Sequence, residues 1–327
     1  MKFQPRIALI GNGPTAAAHA IALKAAGVRV THCSARENKE TLENFAKIHS
    51  IENIWGVSTD LIKAHEEWDG LIIAASVSAL PKLLGSALQT GKPILIEKPV
   101  SSSSDYLSRF KEKSPDNVMV GYNRRFYSTV DETKKFLDST SRRNFCYMQL
   151  PETINFFAEP SIAYKQVYNN SCHGVDLMRY LFGNLKIKNV EVLKNDGVDN
   201  GRYAILESNN KDICFLSLNW NSPANFSVFI ENGQDKIALQ TFEDYQSFSG
   251  MKILEATEKY PARKYCPQEI QKFDVFTHQK DPIKPGFGEQ ALEFLDLING
   301  KPFKKAARLS DAFFTQSLIE EILNASP

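Results

Sequence analysis

The chain has 327 residues, 43% of them hydrophobic, enough for substantial cores in more than one domain. Lys and Arg total 39 against 38 Asp and Glu. That balance gives no electrostatic reason to expect a nucleic-acid or acidic-membrane partner, and no uncharged apolar run is long enough to span a bilayer. The opening MKFQPRIALIGNG lacks the pattern of a signal peptide. Five scattered cysteines (Cys33, Cys146, Cys172, Cys214, Cys266) show no CxxC spacing. They fit reduced thiols in a cytoplasmic protein without a metal site.

The first third alternates in pattern. RIALIG (6–11), VRVTHC (28–33), GLIIAAS (70–76), PILIE (93–97) and NVMVGY (117–122) read as strands. Between them, 15–27, 39–49, 80–91 and the stretch after SSSSD at 101–105 read as helices. Strands spaced by helices imply βαβ units and a parallel sheet. The strands are apolar throughout, as strands covered on both faces should be.

The pattern changes after residue 122. A helix is expected over 128–139, then closely spaced strands over 144–150, 186–193, 202–208, 212–220, 225–232 and 236–242. A helix at 171–183 falls between the first two. This succession predicts a mostly antiparallel sheet. Helices return at 286–300 and 309–324. We therefore expect an α/β domain over 1–122 and an α+β domain over 123–327.

ALIGNGPTA sets Gly11, Gly13 and Ala16 as G-x-G-x-x-A between a strand and a helix, with Pro14 and Thr15 opening that helix. Gly11 allows the tight turn, Gly13 a close approach of backbone to pyrophosphate, and Ala16 close helix packing. At this position the motif predicts a dinucleotide-binding Rossmann domain. The second strand ends in Cys33, Ser34 and, two residues on, Arg36, where an NAD site would hold an acid; Glu37 comes late. Serine and arginine suit a 2′-phosphate, so NADP is favoured over NAD. The plainer alternative is that Arg36 is a solvated loop residue.

One strand, ILI at 94–96, ends in Glu97-Lys98-Pro99. Charge at the carboxyl end of a parallel strand marks the ligand edge of an open α/β sheet. GNGPTA, IEKPV (96–100), VGYNRRF (120–126) and HGVDLMRYLFG (173–183) occur in that order. Together they resemble the glucose–fructose oxidoreductase, inositol dehydrogenase and rhizopine-catabolism family, over nearly the whole chain. The resemblance implies a Rossmann domain followed by an open-faced sheet domain. It also implies hydride transfer between NAD(P) and a sugar, cyclitol or nucleotide-sugar carbon.

By that resemblance Lys98 is the catalytic lysine, Pro99 follows a cis bond, and residues near Glu97 line the nicotinamide side. The loop of Ala75 and Ser76 faces the cofactor. His173 is an acid/base or hydroxyl ligand and Asp176 a substrate ligand, while Asn123 and Arg124 face the cleft. His173 and Asp176, three apart, share a helix face. Asn169, Asn170 or Ser171 is expected to cap that helix, placing His173 in its first turn, where the dipole disfavours imidazolium. The remaining five histidines read as structural or exposed. Arg124 and Arg125 suit an anionic group or, equally, a salt bridge within the protein.

Two positions depart from the family pattern. Asn169 stands where many members have aspartate, so it binds a hydroxyl without taking a proton. Leu80 stands where a histidine is frequent. These departures feed one rival reading, a non-catalytic cofactor-binding regulator; the other rival, which the resemblance itself implies, is a glycosidase that oxidises its substrate transiently. The open sheet needs a cover, so a homodimer or homotetramer through that sheet is expected.

Overall fold

The computed structural model describes residues 4–36, 39–152, 167–195, 198–277 and 283–325. From the N-terminus the elements are β1 (Ile7–Ile10), α1 (Pro14–Ala25), β2 (Val30–Ser34), α2 (Lys39–His49), β3 (Asn53–Trp55), α3 (Ser58–Lys63), β4 (Gly70–Ile73), α4 (Leu80–Leu88), β5 (Ile94–Ile96), α5 (Ser104–Leu107) and β6 (Val118–Val120). Then come α6 (Ser128–Asp138), β7 (Phe145–Glu152), a π-helical turn (Val167–Ser171), α7 (Cys172–Phe182), β8 (Leu185–Asn195), β9 (Val198–Ser208), β10 (Ile213–Trp220), β11 (Ser227–Glu231) and β12 (Asp235–Leu239). The hairpin β13 (Asp244–Leu254) and β14 (Lys264–Asp274) and the helices α8 (Phe287–Ile298) and α9 (Leu309–Leu323) complete the chain.

β1 to β6 form one parallel sheet, in the order β3-β2-β1-β4-β5-β6. Every residue of β1, β4, β5 and β6 is buried, which explains their unbroken apolar sequences. β7 to β14 form the second sheet, in the order β14-β13-β12-β11-β7-β10-β9-β8. Its one parallel pair is β7 with β10; the rest are antiparallel. The expected Rossmann-type and open-sheet architectures are both present.

Five short or polar elements differ from the expectation. β3 and α3 carry no apolar run, and β3 is an edge strand with two exposed residues. The hairpin of β13 and β14 is exposed for most of its length, so neither strand shows a buried alternation. The helix expected after the four serines is only one α-turn, with Ser103 Oγ accepting from Asp105 N at 3.1 Å, and then tightens to a 3₁₀ turn over Ser108–Phe110.

Contacts divide the chain into two compact units: Met1–Phe126 with Gln279–Glu320, and Tyr127–His278 with Glu321–Pro327. The first unit thus takes in α8. Phe287, Ala291, Phe294 and Leu297 of that helix share one core with Ile7, Leu9, Ala16, Leu23 and Ile72. Gly70 belongs to this packing: a Cβ there would lie 2.5 Å from the Ile298 side chain. Among the described residues no helix is long and apolar enough to cross a membrane.

Candidate active site

Because β1, β2, β4 and β5 are parallel, their carboxyl ends lie on one edge of the sheet. The topology therefore gathers Gly11 to Thr15, Ser34 and Arg36, Ala75 and Ser76, and Glu97 and Lys98 along that edge. The sheet's hydrogen bonding continues past the strand ends, through Gly11 N to Ser34 O at 2.8 Å, Ala74 N to Ile10 O at 2.7 Å and Glu97 N to Ile73 O at 2.9 Å.

Gly11 has φ +122°, and a Cβ there would sit 2.1 Å from the Ala74 carbonyl oxygen, so the turn admits only glycine. At Gly13 the opposite holds. A Cβ there would meet no protein atom within 4 Å, so nothing in the chain itself requires glycine at that position. Gly13 precedes α1, Pro14 occupies its first turn and no side chain caps it. First-turn amides lack intrahelical partners, and the dipole's positive end faces the same way. Ala16 is fully buried against the sheet.

At the end of β2, Ser34 is buried and its hydroxyl meets the Ser58 hydroxyl at 3.0 Å. Arg36 is exposed beyond it, and Glu37 lies outside the described residues. Burial pushes the neighbouring Cys33 thiol up to about 11, which removes it as a nucleophile near neutrality. After β4, Ala75 is half-buried and Ser76 exposed, while Leu80 is fully buried as the first residue of α4.

The turn after β5 contains a cis Lys98–Pro99 bond. Lys98 is half-buried. Glu97 is buried, and its Oε1 meets His19 Nε2 of α1 at 2.8 Å. Its other oxygen accepts from Lys98 N at 3.3 Å. Gly121 makes room for this carboxylate, since a Cβ there would lie 2.7 Å from Glu97 Oε1. His19 is one of the five histidines expected to be structural or exposed, and its bond to Glu97 ties it to the candidate site. Its position on the stripe of Ala16, Ala20 and Leu23 is the signal in the sequence that it needs a buried partner.

In the turn Asn123–Phe126, Asn123 is buried and its amide donates to Pro285 O at 2.9 Å. Arg124 is half-buried. Arg125 is buried and pairs with Asp311 at 3.4 Å, so the internal salt bridge applies to that arginine. Beside this turn stands Lys284, a residue that no sequence motif singles out. Its ammonium lies 5.1 Å from the centre of the Phe287 ring. Lys284 reaches solvent, yet partial burial of its side chain lowers its pKa; nearby Glu97 acts to raise it, and Lys98 and Arg124 to lower it further.

In the second unit, His173 and Asp176 are both buried on α7, and Asn169 is exposed on the π-helical turn before it. The expected side-chain cap is absent. Ser171 has helical angles (φ −61°, ψ −23°) and makes no capping bond, because helical backbone already runs back to Val167. The α-helical first turn at His173 is therefore no open helix end, and the dipole argument for its neutrality weakens. Ser171 instead donates its hydroxyl to Glu152 at 2.6 Å, and Asn170 Nδ2 lies 3.4 Å from the same carboxylate. Glu152 ends the buried alternation Cys146, Met148, Leu150, Glu152 of β7. A carboxylate in a buried register is legible in the sequence, though its partner is not.

No protein-family model matches the chain. Two curated inositol 2-dehydrogenases are similar in sequence. The one from Rhodococcus jostii is 29% identical across 42% of this chain and 39% of its own. The one from Rhodococcus erythropolis is 27% identical across 62% of each. The chain thus matches less than two thirds of the length of either relative. Among solved structures, an oxidoreductase from Thermotoga maritima has a TM-score of 0.75 at 17% identity, over 98% of this chain and 96% of that one. A levoglucosan dehydrogenase solved with NADH and L-sorbose has a TM-score of 0.77 at 14% identity, over the same shares. At such identities the structural likeness establishes the fold. The ordered motifs, the two sheets and these relatives agree in placing the resemblance with the glucose–fructose oxidoreductase, inositol dehydrogenase and rhizopine-catabolism oxidoreductases.

Proposed function

We propose that the protein is an NAD(P)-dependent oxidoreductase acting on a CH–OH carbon of a sugar, cyclitol or nucleotide sugar. One observation carries this reading. The glycine turn and the Glu97-Lys98-Pro99 turn share one sheet edge, and His19 of α1 is bonded to Glu97 across it. The residues fit a dinucleotide: Gly13 leaves open the space a Cβ would fill, at an uncapped helix start. Gly11, Gly13, Pro14 and Thr15 would hold the pyrophosphate, and Ala75, Ser76, Glu97 and Lys98 would flank the nicotinamide. When bound, that cofactor supplies the hydride acceptor or donor. The exposed Arg36 favours NADP through its 2′-phosphate, whereas Ser34 is buried with its hydroxyl on Ser58.

Loss of hydride from a carbinol leaves a carbonyl, so the hydroxyl proton needs an acceptor. Lys98 Nζ takes that proton in oxidation and returns it in reduction. His173 is its proton partner, Asp176 and Asn169 hold substrate hydroxyls, and Asn123 and Arg124 shape the substrate's surroundings. Asn169 carries no charge, so the relay rests on Lys98 and His173.

We also propose a homodimer or homotetramer in the cytoplasm. Phe145 and Tyr147 of β7, Phe215 of β10 and Phe229 of β11 lie on the sheet face opposite the buried Cys146, Met148, Leu216 and Val228. Their rings pair across strands at 5.1 Å (Phe145 with Phe215) and 6.4 Å (Tyr147 with Phe229). A partly exposed aromatic face of this kind suits a second copy.

The test is a panel of sugars, polyols and nucleotide sugars with NAD(P)+, read at the nicotinamide absorbance, after native mass spectrometry for retained cofactor. Stoichiometric NAD(P)H formation is expected. Release of a free sugar with no net NAD(P)H would favour the glycosidase, and cofactor retention with no turnover the regulator.

A further inference from the structure

We infer that His19 is a positioning residue for Lys98, acting through the Glu97 carboxylate to fix the turn that presents the lysine. This rests on the oxidoreductase reading, and it adds to that reading a residue of the helix that opens at the glycine turn.

The ladder of the parallel sheet stops just short of Lys98. β5 ends at Ile96, and the last backbone bond toward β4 runs from Glu97 N to Ile73 O at 2.9 Å. The next amide, that of Lys98, donates to a side chain instead, Glu97 Oε2 at 3.3 Å. Where the lysine stem begins therefore depends on where that carboxylate is held.

The carboxylate is held from two sides. His19 Nε2 of α1 meets its Oε1 at 2.8 Å. Gly121, just after β6, lies so close that a Cβ there would stand 2.7 Å from Oε1 and 3.0 Å from Oε2. Both oxygens thus pack on a residue that has no side chain to displace them. The imidazole is backed in turn by the buried Phe287 ring of α8, 4.8 Å away and tilted by 56°. With one oxygen on His19 and the other on Lys98 N, Glu97 bridges α1 to the turn that bears the lysine.

Stability alone does not call for such a pair. Buried ionisable pairs replaced by apolar side chains of like volume are often neutral or stabilising. The neighbours of His19 on its stripe of α1, Ala16, Ala20 and Leu23, are apolar and buried. Histidine interrupts that stripe where the helix reaches Glu97. What the bond supplies is geometry. A reacting group misplaced by about 1 Å can cost on the order of 10²-fold in rate. A lysine on its flexible four-carbon stem gains most from a fixed starting point.

The experiment compares His19→Ala, His19→Gln and Leu23→Ala, in kinetics and in amide hydrogen exchange. Glutamine can offer Glu97 an N–H in place of the imidazole's. Leu23 is buried on the same helix, so its truncation weakens the packing of α1 while leaving the His19–Glu97 bond in place. His19→Ala should lower kcat and kcat/KM together by about 10- to 100-fold, His19→Gln should recover most of that loss, and Leu23→Ala should stay near wild type. In the cofactor-free protein, segment 96–101 should exchange at least about 10-fold faster in His19→Ala, and not in the other two variants. Should His19→Ala not fold, Glu97→Gln takes its place: one amide oxygen cannot accept from both His19 and Lys98 N, so rate and exchange should move the same way. A rate loss matched by Leu23→Ala, an effect confined to KM, or unchanged exchange over 96–101 overturns the inference. If no alcohol is turned over, the oxidoreductase reading fails separately, and the exchange measurement still decides whether His19 holds the turn.

Discussion

The imidazole of His19 and the carboxylate of Glu97 meet at 2.8 Å with side chains 2% and 9% exposed. One belongs to the helix that opens at the glycine turn, the other to the turn that bears Lys98. His19→Ala leaves a buried carboxylate without its partner and should destabilise the protein by about 3–5 kcal/mol. Glu97→Gln, which keeps a hydrogen-bonding amide, should cost less. Urea unfolding of the two variants checks the order, and an equal or smaller loss for His19→Ala contradicts it.

The proposed preference for NADP rests on an exposed arginine. Arg36→Ala should weaken NADP binding by about 1–3 kcal/mol and leave NAD nearly unchanged. Calorimetric titration with each cofactor measures this. Equal weakening for both would remove the case for a 2′-phosphate contact.

Lys98→Ala should lower hydride transfer by about 10²–10⁴ while cofactor binding persists. Lys98→Arg should fail nearly as badly, since guanidinium does not release its proton. His173→Ala should lower kcat if His173 is the proton partner, and mainly raise KM if it only binds a hydroxyl. Asn169→Asp separates two substrate types: added charge should raise activity on a neutral polyol and lower it on an anionic sugar. Full turnover by Lys98→Ala in single-turnover kinetics would end the mechanism.

The aromatic sheet face gives a test of assembly. Light scattering at micromolar concentration should show a dimer or tetramer, and Tyr147→Asp with Phe229→Asp should shift it to monomer. A monomeric wild type would refute the proposed interface.

Arg6 and Asp69 tie the chain just before β1 to the chain just before β4. Asp69 accepts from Arg6 N at 2.8 Å and pairs with its guanidinium at 3.0 Å. The Arg6 side-chain hydrogen bond holds the Asp69 carboxyl below the usual range. Its contribution is therefore present above the ordinary carboxylate pKa and is lost as pH falls through the lowered folded value. Arg6 is about half exposed, so Asp69→Asn should cost only about 1 kcal/mol at neutral pH. The gap to wild type should close as pH falls through that lowered value. A gap that persists in acid would point to packing instead of charge.

Legibility in the sequence followed burial. Ile7–Ile10, Gly70–Ile73 and Ile94–Ile96 are covered on both faces, so their composition alone marks them as strands. Asn53–Trp55 and the hairpin of β13 and β14 are held by backbone pairing with little side-chain burial, and composition is silent there. The same rule divides the candidate site. Gly11 was readable because a local turn demands it, and Lys98 because it interrupts an apolar strand. The partners of Glu97 and Arg125 were not, since His19 and Asp311 are brought to them by tertiary packing across long stretches of chain. The capping expectation at Ser171 failed because helical backbone already runs back to Val167 and the Ser171 hydroxyl is given to Glu152, on a strand earlier in the chain.

The sharing of one core by Phe287, Phe294 and Leu297 with Ile7 and Leu9 bears on synthesis. A ribosome finishes all six strands of the parallel sheet long before α8 exists. At about 5–20 residues per second, the nascent sheet waits on the order of ten seconds or more for that wall of its core. During that interval the surface that α8 will cover is open to chaperones and to other nascent chains. A fragment ending at Phe126 should therefore be aggregation-prone, and supplying residues 283–300 as a separate peptide should rescue its solubility.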